Sequence, residues 1–242
     1  MEKSIWKDQQ CHKGLQIWRY FKVERFLELL EKERIYFSSA NEFSDTFEGA
    51  VAVLPPEIKL DPRYTEPDRL EQAFIPLKKY SKINCWHIED HENSMMWEIY
   101  ANRSKGVAVV STVTSYIKSY TPYCATEKSQ PETLFHGPVK YENLLEERLR
   151  PSSKERFFYK DRIFKHEQEY RFMISLEEAS MWVDVAEKGI HVSFDPSVLI
   201  EEIILGPNIE PDCLNRIKLA SERHQLKSKI KESRLRGKPK YI

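Results

Sequence analysis

The sequence predicts an α+β protein that forms a single domain over residues 1–242. Strand-like and helix-like segments follow one another without the regular alternation of a doubly wound fold. No stretch rich in Gly, Ser or Pro separates the chain into two parts, and 242 residues with 40% apolar content can bury one core. We expect mixed or antiparallel sheets flanked by helices, with a core of about residues 15–225 and a basic C-terminal segment over 226–242.

Six strands are predicted where β-branched and aromatic residues cluster, at 15–21, 34–37, 83–88, 106–113, 169–176 and 202–205. Helices are predicted from apolar periodicity or from a capping residue, at 23–31, 93–102, 152–165 and 211–224. Turn residues at 187–189 predict a hairpin between 182–185 and 190–194. Prolines predict an irregular region over 55–76 and a surface loop over 121–138.

The charge balance argues against a global role in binding nucleic acid or anionic membranes. Lys plus Arg number 38 and Asp plus Glu also number 38, although a local basic cleft remains compatible with that balance. Charges occupy the N-terminal stretch where a signal peptide needs apolar residues, and no segment approaches the roughly 20 apolar residues that span a bilayer. Four cysteines without a CxxC pair suit reduced thiols. We expect a cytoplasmic protein with no membrane contact.

Two acids in the last third of the chain are the first candidate site. In a strand over Glu167-Gln168-Glu169-Tyr170-Arg171, the side chains of Glu167, Glu169 and Arg171 would share one face. Two carboxylates at this spacing repel, which raises one pKa and suits the stabilisation of a developing cation or the polarisation of a hydroxyl. The structural alternative is a solvated strand edge with Arg171 and Lys165 as ion partners, and spacing alone favours that alternative.

Hydroxyl and aromatic side chains give two weaker candidates. Ser38 and Ser39 follow a predicted strand, where they could orient a polar ligand or complete a turn. Met96, Trp97 and Tyr100 would lie on one helical face, which could stack on a flat ring but is more often core.

One cation stands in an apolar strand. Arg19 lies between Trp18 and Tyr20, and a buried charge there needs either a pyrophosphate or an internal carboxylate. The histidines His87, His91 and His166 lack a tight metal-binding spacing, so we expect no metal site.

The candidate residues belong to motifs that resemble those of a widespread bacterial domain of unknown function, often encoded near mobile and phage-defence elements. The resemblance covers roughly residues 15–210. The motifs in chain order are Trp18-Arg19-Tyr20, Ile35-Tyr36-Phe37-Ser38-Ser39, Phe43-Ser44-Asp45-Thr46-Phe47-Glu48, Met96-Trp97-Glu98-Ile99-Tyr100-Ala101 with Gly106, and Glu167-Gln168-Glu169-Tyr170-Arg171.

A second resemblance is to the ADP-ribosyltransferase fold, which places an Arg or His on its first strand and an acidic ExE motif near its end. It implies NAD as substrate, with Arg19 on the pyrophosphate or ribose. Glu169 would hydrogen-bond the nicotinamide ribose and stabilise an oxocarbenium-like transition state, and Glu167 would steer the acceptor.

The same resemblance implies that Tyr36 or Tyr100 stacks on nicotinamide. The hydroxyl motif of that fold is not literal here, because Ser38 and Ser39 come soon after the first helix. The predicted strand with Asn84-Cys85-Trp86-His87 lacks the serine.

The two resemblances together imply an ADP-ribosyltransferase or NAD-cleaving effector, such as a toxin or antiviral defence component. It would modify a macromolecular acceptor, either protein or nucleic acid, and could have an antitoxin or partner protein. One alternative is a non-catalytic sensor or interaction module in which Arg19 pairs with Glu169 or Glu167. The other is a magnesium-dependent nuclease with Asp45, Glu48 and Glu169 as ligands.

Overall fold

The computed structural model describes residues 2–6, 14–53 and 69–241. Helices and strands are mixed, and both parallel and antiparallel strand pairs occur, which confirms the α+β class with a mixed sheet. The chain divides into two compact units. The first contains Met1–Gln9, Tyr36–Cys85 and Pro122–His191, and the second contains Gln10–Ile35, Trp86–Thr121 and Val192–Ile242. That these units form a single domain stays a prediction.

The strands in chain order are β1 (Glu2–Ser4), β2 (Gln16–Phe21), β3 (Arg34–Ser39), β4 (Ser81–Ile88), β5 (Val107–Thr112), β6 (Leu134–Pro138), β7 (Lys140–Glu142), β8 (Tyr159–Asp161), β9 (Glu169–Ser175), β10 (Ile190–Ser193), β11 (Glu202–Leu205) and β12 (Ile230–Glu232). The α-helices are α1 (Val23–Lys32), α2 (Arg69–Tyr80), α3 (Ser94–Tyr100), α4 (Val113–Ser119), α5 (Pro196–Leu199) and α6 (Pro211–Glu222). Short 3-10 turns include Ala40–Glu42, Glu155–Phe158 and Arg162–Glu167.

Strand β9 is central to the first unit. It pairs antiparallel with β6 from Leu134↔Ile174 to Pro138↔Tyr170, and β1 adds to β6 in parallel. On its other side β9 neighbours β4. Strands therefore flank β9 on both edges, where its backbone groups find partners. Both of its faces are covered as well, because every side chain from Glu169 to Ile174 is buried. The core of this unit includes Ile5, Trp6, Ala40, Ile83, Phe157, Phe158 and Met173.

Strand β5 has the same position in the second unit. It pairs antiparallel with β2 and with β11, and β12 adds to β11 in parallel. Its four residues from Val107 to Val110 are fully buried, as the apolar run predicts. A core cluster of this unit includes Trp18, Tyr20, Met96, Trp97, Ala101, Ala108, Val110 and Ile204.

Several predicted elements are wrong, and their residues show why. Pro76 lies inside helix α2, so the proline-rich region is helical from residue 69; residues 55–68 lie outside the described part of the chain. The predicted loop contains strand β6. Gly137 lies within this strand and packs closely against Ile5 and Trp6, because a Cβ at this position would lie 2.7 Å from Ile5 Cγ2.

The predicted helix over 152–165 is also wrong. Ser152 and Glu155 exchange the hydrogen bonds of a helix start, but only 3-10 turns and strand β8 follow. The predicted hairpin fails too, because β10 pairs with β3 and residues 182–185 form no strand.

Two remaining expectations concern thiols and the membrane. Cys85, Cys124 and Cys213 are free, while Cys11 falls outside the described ranges. No helix within residues 2–6, 14–53 and 69–241 is long and apolar enough to cross a bilayer.

Candidate functional site

The Glu169 carboxylate pairs with the guanidinium of Arg171 two residues further along β9. Arg171 Nε donates to Glu169 Oε2 at 2.7 Å and Nη2 donates to Oε1 at 3.2 Å. The prediction that these two side chains share a face is therefore confirmed. Both are buried, with Arg171 fully enclosed, so the interpretation as a solvated strand edge is wrong.

The same guanidinium holds a second carboxylate, from Glu48. Arg171 Nη1 lies 2.6 Å from Glu48 Oε1 and Nη2 lies 3.0 Å from Oε2, which is the two-pronged geometry that arginine favours with carboxylates. Nη1 also donates to the carbonyl of Phe157 at 2.6 Å. Glu48 reaches Arg171 from a turn in which Asp45 Oδ1 accepts from the Phe47 amide at 2.8 Å.

Lys160 joins the two acids of the ExE motif. Its ammonium on β8 donates to Glu169 Oε1 at 2.8 Å and also to Glu167. Glu167 precedes β9 and is separated from it by Gln168, whose φ of 39° turns the chain, so Glu167 is not on the predicted strand face. The buried cation is Lys160, not the predicted Lys165.

These contacts shift the pKa values of Glu169 and Glu167 in opposite directions. Burial raises the pKa of Glu169, but the charges of Arg171 and Lys160 outweigh it and hold that pKa well below its ordinary value. Burial and the neighbouring Glu169 carboxylate raise the pKa of Glu167. A strongly ionised acid therefore lies beside one that holds its proton more tightly.

Two further side chains close around Glu169. The amide of Glu169 donates to the Tyr141 hydroxyl at 2.8 Å, and burial raises the pKa of that hydroxyl. Burial and the Glu169 carboxylate also raise the pKa of the Cys85 thiol. Sequence reasoning missed Glu48 as the partner of Arg171, and it missed Lys160, Tyr141 and Cys85. Cys85, Tyr141 and Lys160 lie on β4, β7 and β8, where alternation signals only that they belong to strands. Glu48 lies in a turn that carries no such signal.

Tyr36 and Ser39 lie around a different acid, Glu42. The Tyr36 hydroxyl donates to this carboxylate at 2.8 Å, and the Gly189 amide donates to it at 2.7 Å. Ser39 caps the turn Ala40–Glu42, with its amide 2.9 Å from Glu42 Oε2, which confirms the turn interpretation for Ser39. Ser38 is half-buried on β3.

A buried lysine stands next to this turn. The ammonium of Lys82, whose side chain is fully enclosed, donates to the carbonyls of Ala186 at 2.8 Å and Lys188 at 2.7 Å. Burial lowers the pKa of Lys82 to about 8, although Glu42 and Glu187 act in the opposite direction.

Arg19 and Tyr100 belong to the second unit. The Arg19 guanidinium carbon lies 5.4 Å from the centroid of the Phe21 ring. Tyr100 ends α3 and is 45% exposed, whereas Met96 and Trp97 are buried, so the core interpretation holds for those two. Thus Glu167 and Glu169 come together on Lys160, and Tyr36 and Ser39 come together on Glu42.

One set of donor atoms among the described residues is close enough to hold a metal ion. The donor atoms of Glu89, Asp90 and His91 lie within 4.8 Å of one another. Exposed groups of this kind are common without a metal, and His91 already contacts Asp90. The nuclease hypothesis requires a different set, and there the carboxylates of Glu48 and Glu169 surround Arg171 instead.

The site therefore consists of an ionised, rigidly held carboxylate, a second carboxyl group with a raised pKa and two buried cations. Comparison with known proteins adds no relative, since no family model, no curated protein and no solved structure matches this chain.

Proposed function

We propose that the protein cleaves the bond between nicotinamide and ribose in NAD and transfers ADP-ribose to an acceptor. The observation that carries this proposal is the pair Glu169 and Glu167, which share Lys160 while their pKa values move apart. Neighbouring acids with different pKa values are typical of sites where one group stabilises charge and the other transfers a proton.

Glu169 would stabilise the cationic sugar. When the bond breaks, its electron pair goes to the nicotinamide nitrogen and positive charge develops on the ribose carbon. A fixed anion lowers the energy of that state, and Arg171 and Lys160 keep Glu169 both ionised and in place. Glu169 thus needs no reorganisation as the charge forms.

Glu167 would activate the acceptor. The acceptor attacks the ribose carbon and loses a proton, which the ionised form of Glu167 receives. The pKa of Glu167 is raised, so it is closer to neutral pH than that of an ordinary glutamate. The ionised form of Glu167 is therefore a stronger base. The acceptor can be water, a protein side chain or a nucleic acid. A toxin or defence role, with an antitoxin as partner, is part of the same proposal and is supported by the motif resemblance alone.

A second candidate is a non-catalytic sensor or interaction module. All three guanidinium nitrogens of Arg171 have partners inside the protein, and Glu169 uses both of its oxygens on Arg171 and Lys160. Such complete pairing also serves a purely structural purpose.

The test is incubation with NAD labelled on the adenylate phosphate, with and without cell lysate. Wild-type protein should release nicotinamide and label an acceptor, and Glu169→Gln should lower turnover by about 10²–10³-fold. Glu48→Gln is the matched control, because it removes a carboxylate from the same guanidinium without removing the proposed catalytic residue.

Circular dichroism corrects each rate for the folded fraction. The proposal fails if wild-type protein neither consumes NAD nor labels any lysate component. Loss of stability in Glu169→Gln without any NAD turnover in wild type supports the module.

A further inference from the structure

Two cations of the first unit approach the same phenyl ring. The guanidinium carbon of Arg156 lies 4.1 Å from the centroid of the Phe74 ring, and the ammonium of Lys78 lies 5.7 Å from it. Phe74 and Lys78 are four residues apart on α2 and therefore neighbours on one helical face. Arg156 comes from the 3-10 turn Glu155–Phe158.

Arg156 has a buried donor that nothing in the described residues accepts. Its Nε is inaccessible to solvent and has no hydrogen-bond partner in residues 2–6, 14–53 and 69–241. Burial also lowers the pKa of Arg156, which is the direction expected where no carboxylate offsets the loss of water. The contrast with Arg171, which has two carboxylates, is sharp.

Burying a guanidinium without a carboxylate partner is costly, whereas an anion bound beside it would offset its charge. Phosphate oxygens match the planar donor geometry of arginine, and a lysine nearby adds a second positive charge. The aromatic ring holds both cations in position, since cations are attracted to its face.

This cluster is connected to the Glu169 network. Phe157 follows Arg156 in the chain and its carbonyl accepts from Arg171 Nη1 at 2.6 Å. The Phe157 ring stacks on Phe74 with centroids 5.8 Å apart. Phe157 thus connects Arg156 and Phe74 to the guanidinium that fixes Glu169.

We propose that Arg156 and Lys78 bind the phosphate groups of a nucleotide. If the proposed function holds, on which this identification of the ligand rests, the bound group is the pyrophosphate of NAD.

The experiment is calorimetric titration of the full chain with inorganic pyrophosphate, with ADP-ribose and, as the uncharged control, with adenosine. Wild-type protein should bind both anions and not adenosine. Arg156→Gln and Lys78→Gln should each weaken binding of both anions at least tenfold. Lys154→Gln should leave it unchanged, because Lys154 contacts a different ring, that of Phe135, at 5.3 Å.

Circular dichroism tests whether each variant is folded. If Arg156→Gln does not fold, the binding measured with Lys78→Gln decides the outcome. The inference is overturned if wild-type protein binds neither anion, or if binding is equal in wild type and the folded variants. Binding of pyrophosphate without any NAD turnover overturns the proposed function and supports the anion site. NAD turnover with an unchanged KM in both variants overturns the anion site and leaves the proposed function intact.

Discussion

The guanidinium of Arg171 and the carboxylate of Glu48 form a fully buried pair joined by two hydrogen bonds of 2.6 and 3.0 Å. Glu169, two residues before Arg171 on β9, supplies the second anion of the group. Because two carboxylates share this one guanidinium, removing either leaves the network incompletely paired in a place that water does not reach.

Replacing Glu48 with Ala should lower the free energy of unfolding by about 3–5 kcal/mol, since breaking a buried ion pair leaves an uncompensated charge. Urea unfolding followed by circular dichroism measures the change. Glu210→Ala is the matched control, because Glu210 pairs with Lys105 on the exposed surface. Its loss should be far smaller, and equal losses in the two variants would contradict a tightly coupled buried network.

Acid should weaken the protein through Glu169. Its folded pKa lies well below the ordinary value near 4.5, so its ion pairs contribute stability above pH 4.5 that is lost as the pH falls through the folded pKa. The difference in unfolding free energy between wild type and Glu169→Gln should therefore shrink as the pH falls below 4.5.

Glu167→Gln is the control for this experiment, because the raised pKa of Glu167 has the opposite sign. Relative to that variant, wild-type protein should gain stability as the pH falls from the folded pKa of Glu167 toward 4.5. If the free energy of unfolding, relative to wild type, depends on pH in the same way for both variants, the pKa values of Glu167 and Glu169 do not shift in opposite directions.

Alkali should stabilise the protein through Lys82. Its pKa falls from 10.5 to about 8 on folding, so the unfolded chain binds more protons between these values and stability rises with pH. From pH 7 to pH 10, wild-type protein should gain roughly 2 kcal/mol relative to Lys82→Met. Urea unfolding at the two pH values measures this, and a pH-independent difference would show that Lys82 keeps an ordinary pKa.

Alanine should not be tolerated at position 106. A Cβ built on Gly106 would lie 2.0 Å from the backbone oxygen of Phe21, so the backbone must move at a cost of about 1–3 kcal/mol. Thermal unfolding tests this against Gly14→Ala, where a Cβ meets nothing within 4 Å. If both substitutions shift the midpoint equally, Gly106 is not required for close approach.

The sequence predicts elements best where an apolar run or a capping residue marks them. Strand β11 has the predicted bounds, and Asn93 caps α3 as expected, since its side chain accepts from two helix amides. Helix α2 was missed because Pro76 disfavours a helix locally, while Phe74 and Leu77 pack against the core of the first unit. Tertiary packing outweighs that local signal.

The candidate site was predictable only in part. Alternation along β9 places Glu169 and Arg171 on one face, but no local pattern shows that both faces of β9 are buried. Glu48 contacts Arg171 and Lys160 contacts Glu169 only in the folded structure. Sequence spacing instead predicted Lys165 as an ion partner. The assignment of Arg19, Tyr36, Ser38 and Tyr100 to NAD stays a prediction.

The distance along the chain between Glu48 and Arg171 has a consequence for biosynthesis. The two residues are 123 positions apart, so at 5–20 residues per second the ribosome needs roughly 6–25 seconds to add the partner after Glu48 is made. During that interval the acid must stay hydrated, and the first unit cannot close around it. This unit is built from three separate stretches of chain. A continuous fragment that ends before Arg171 therefore lacks the central strand β9, and its apolar side chains are accessible to chaperones.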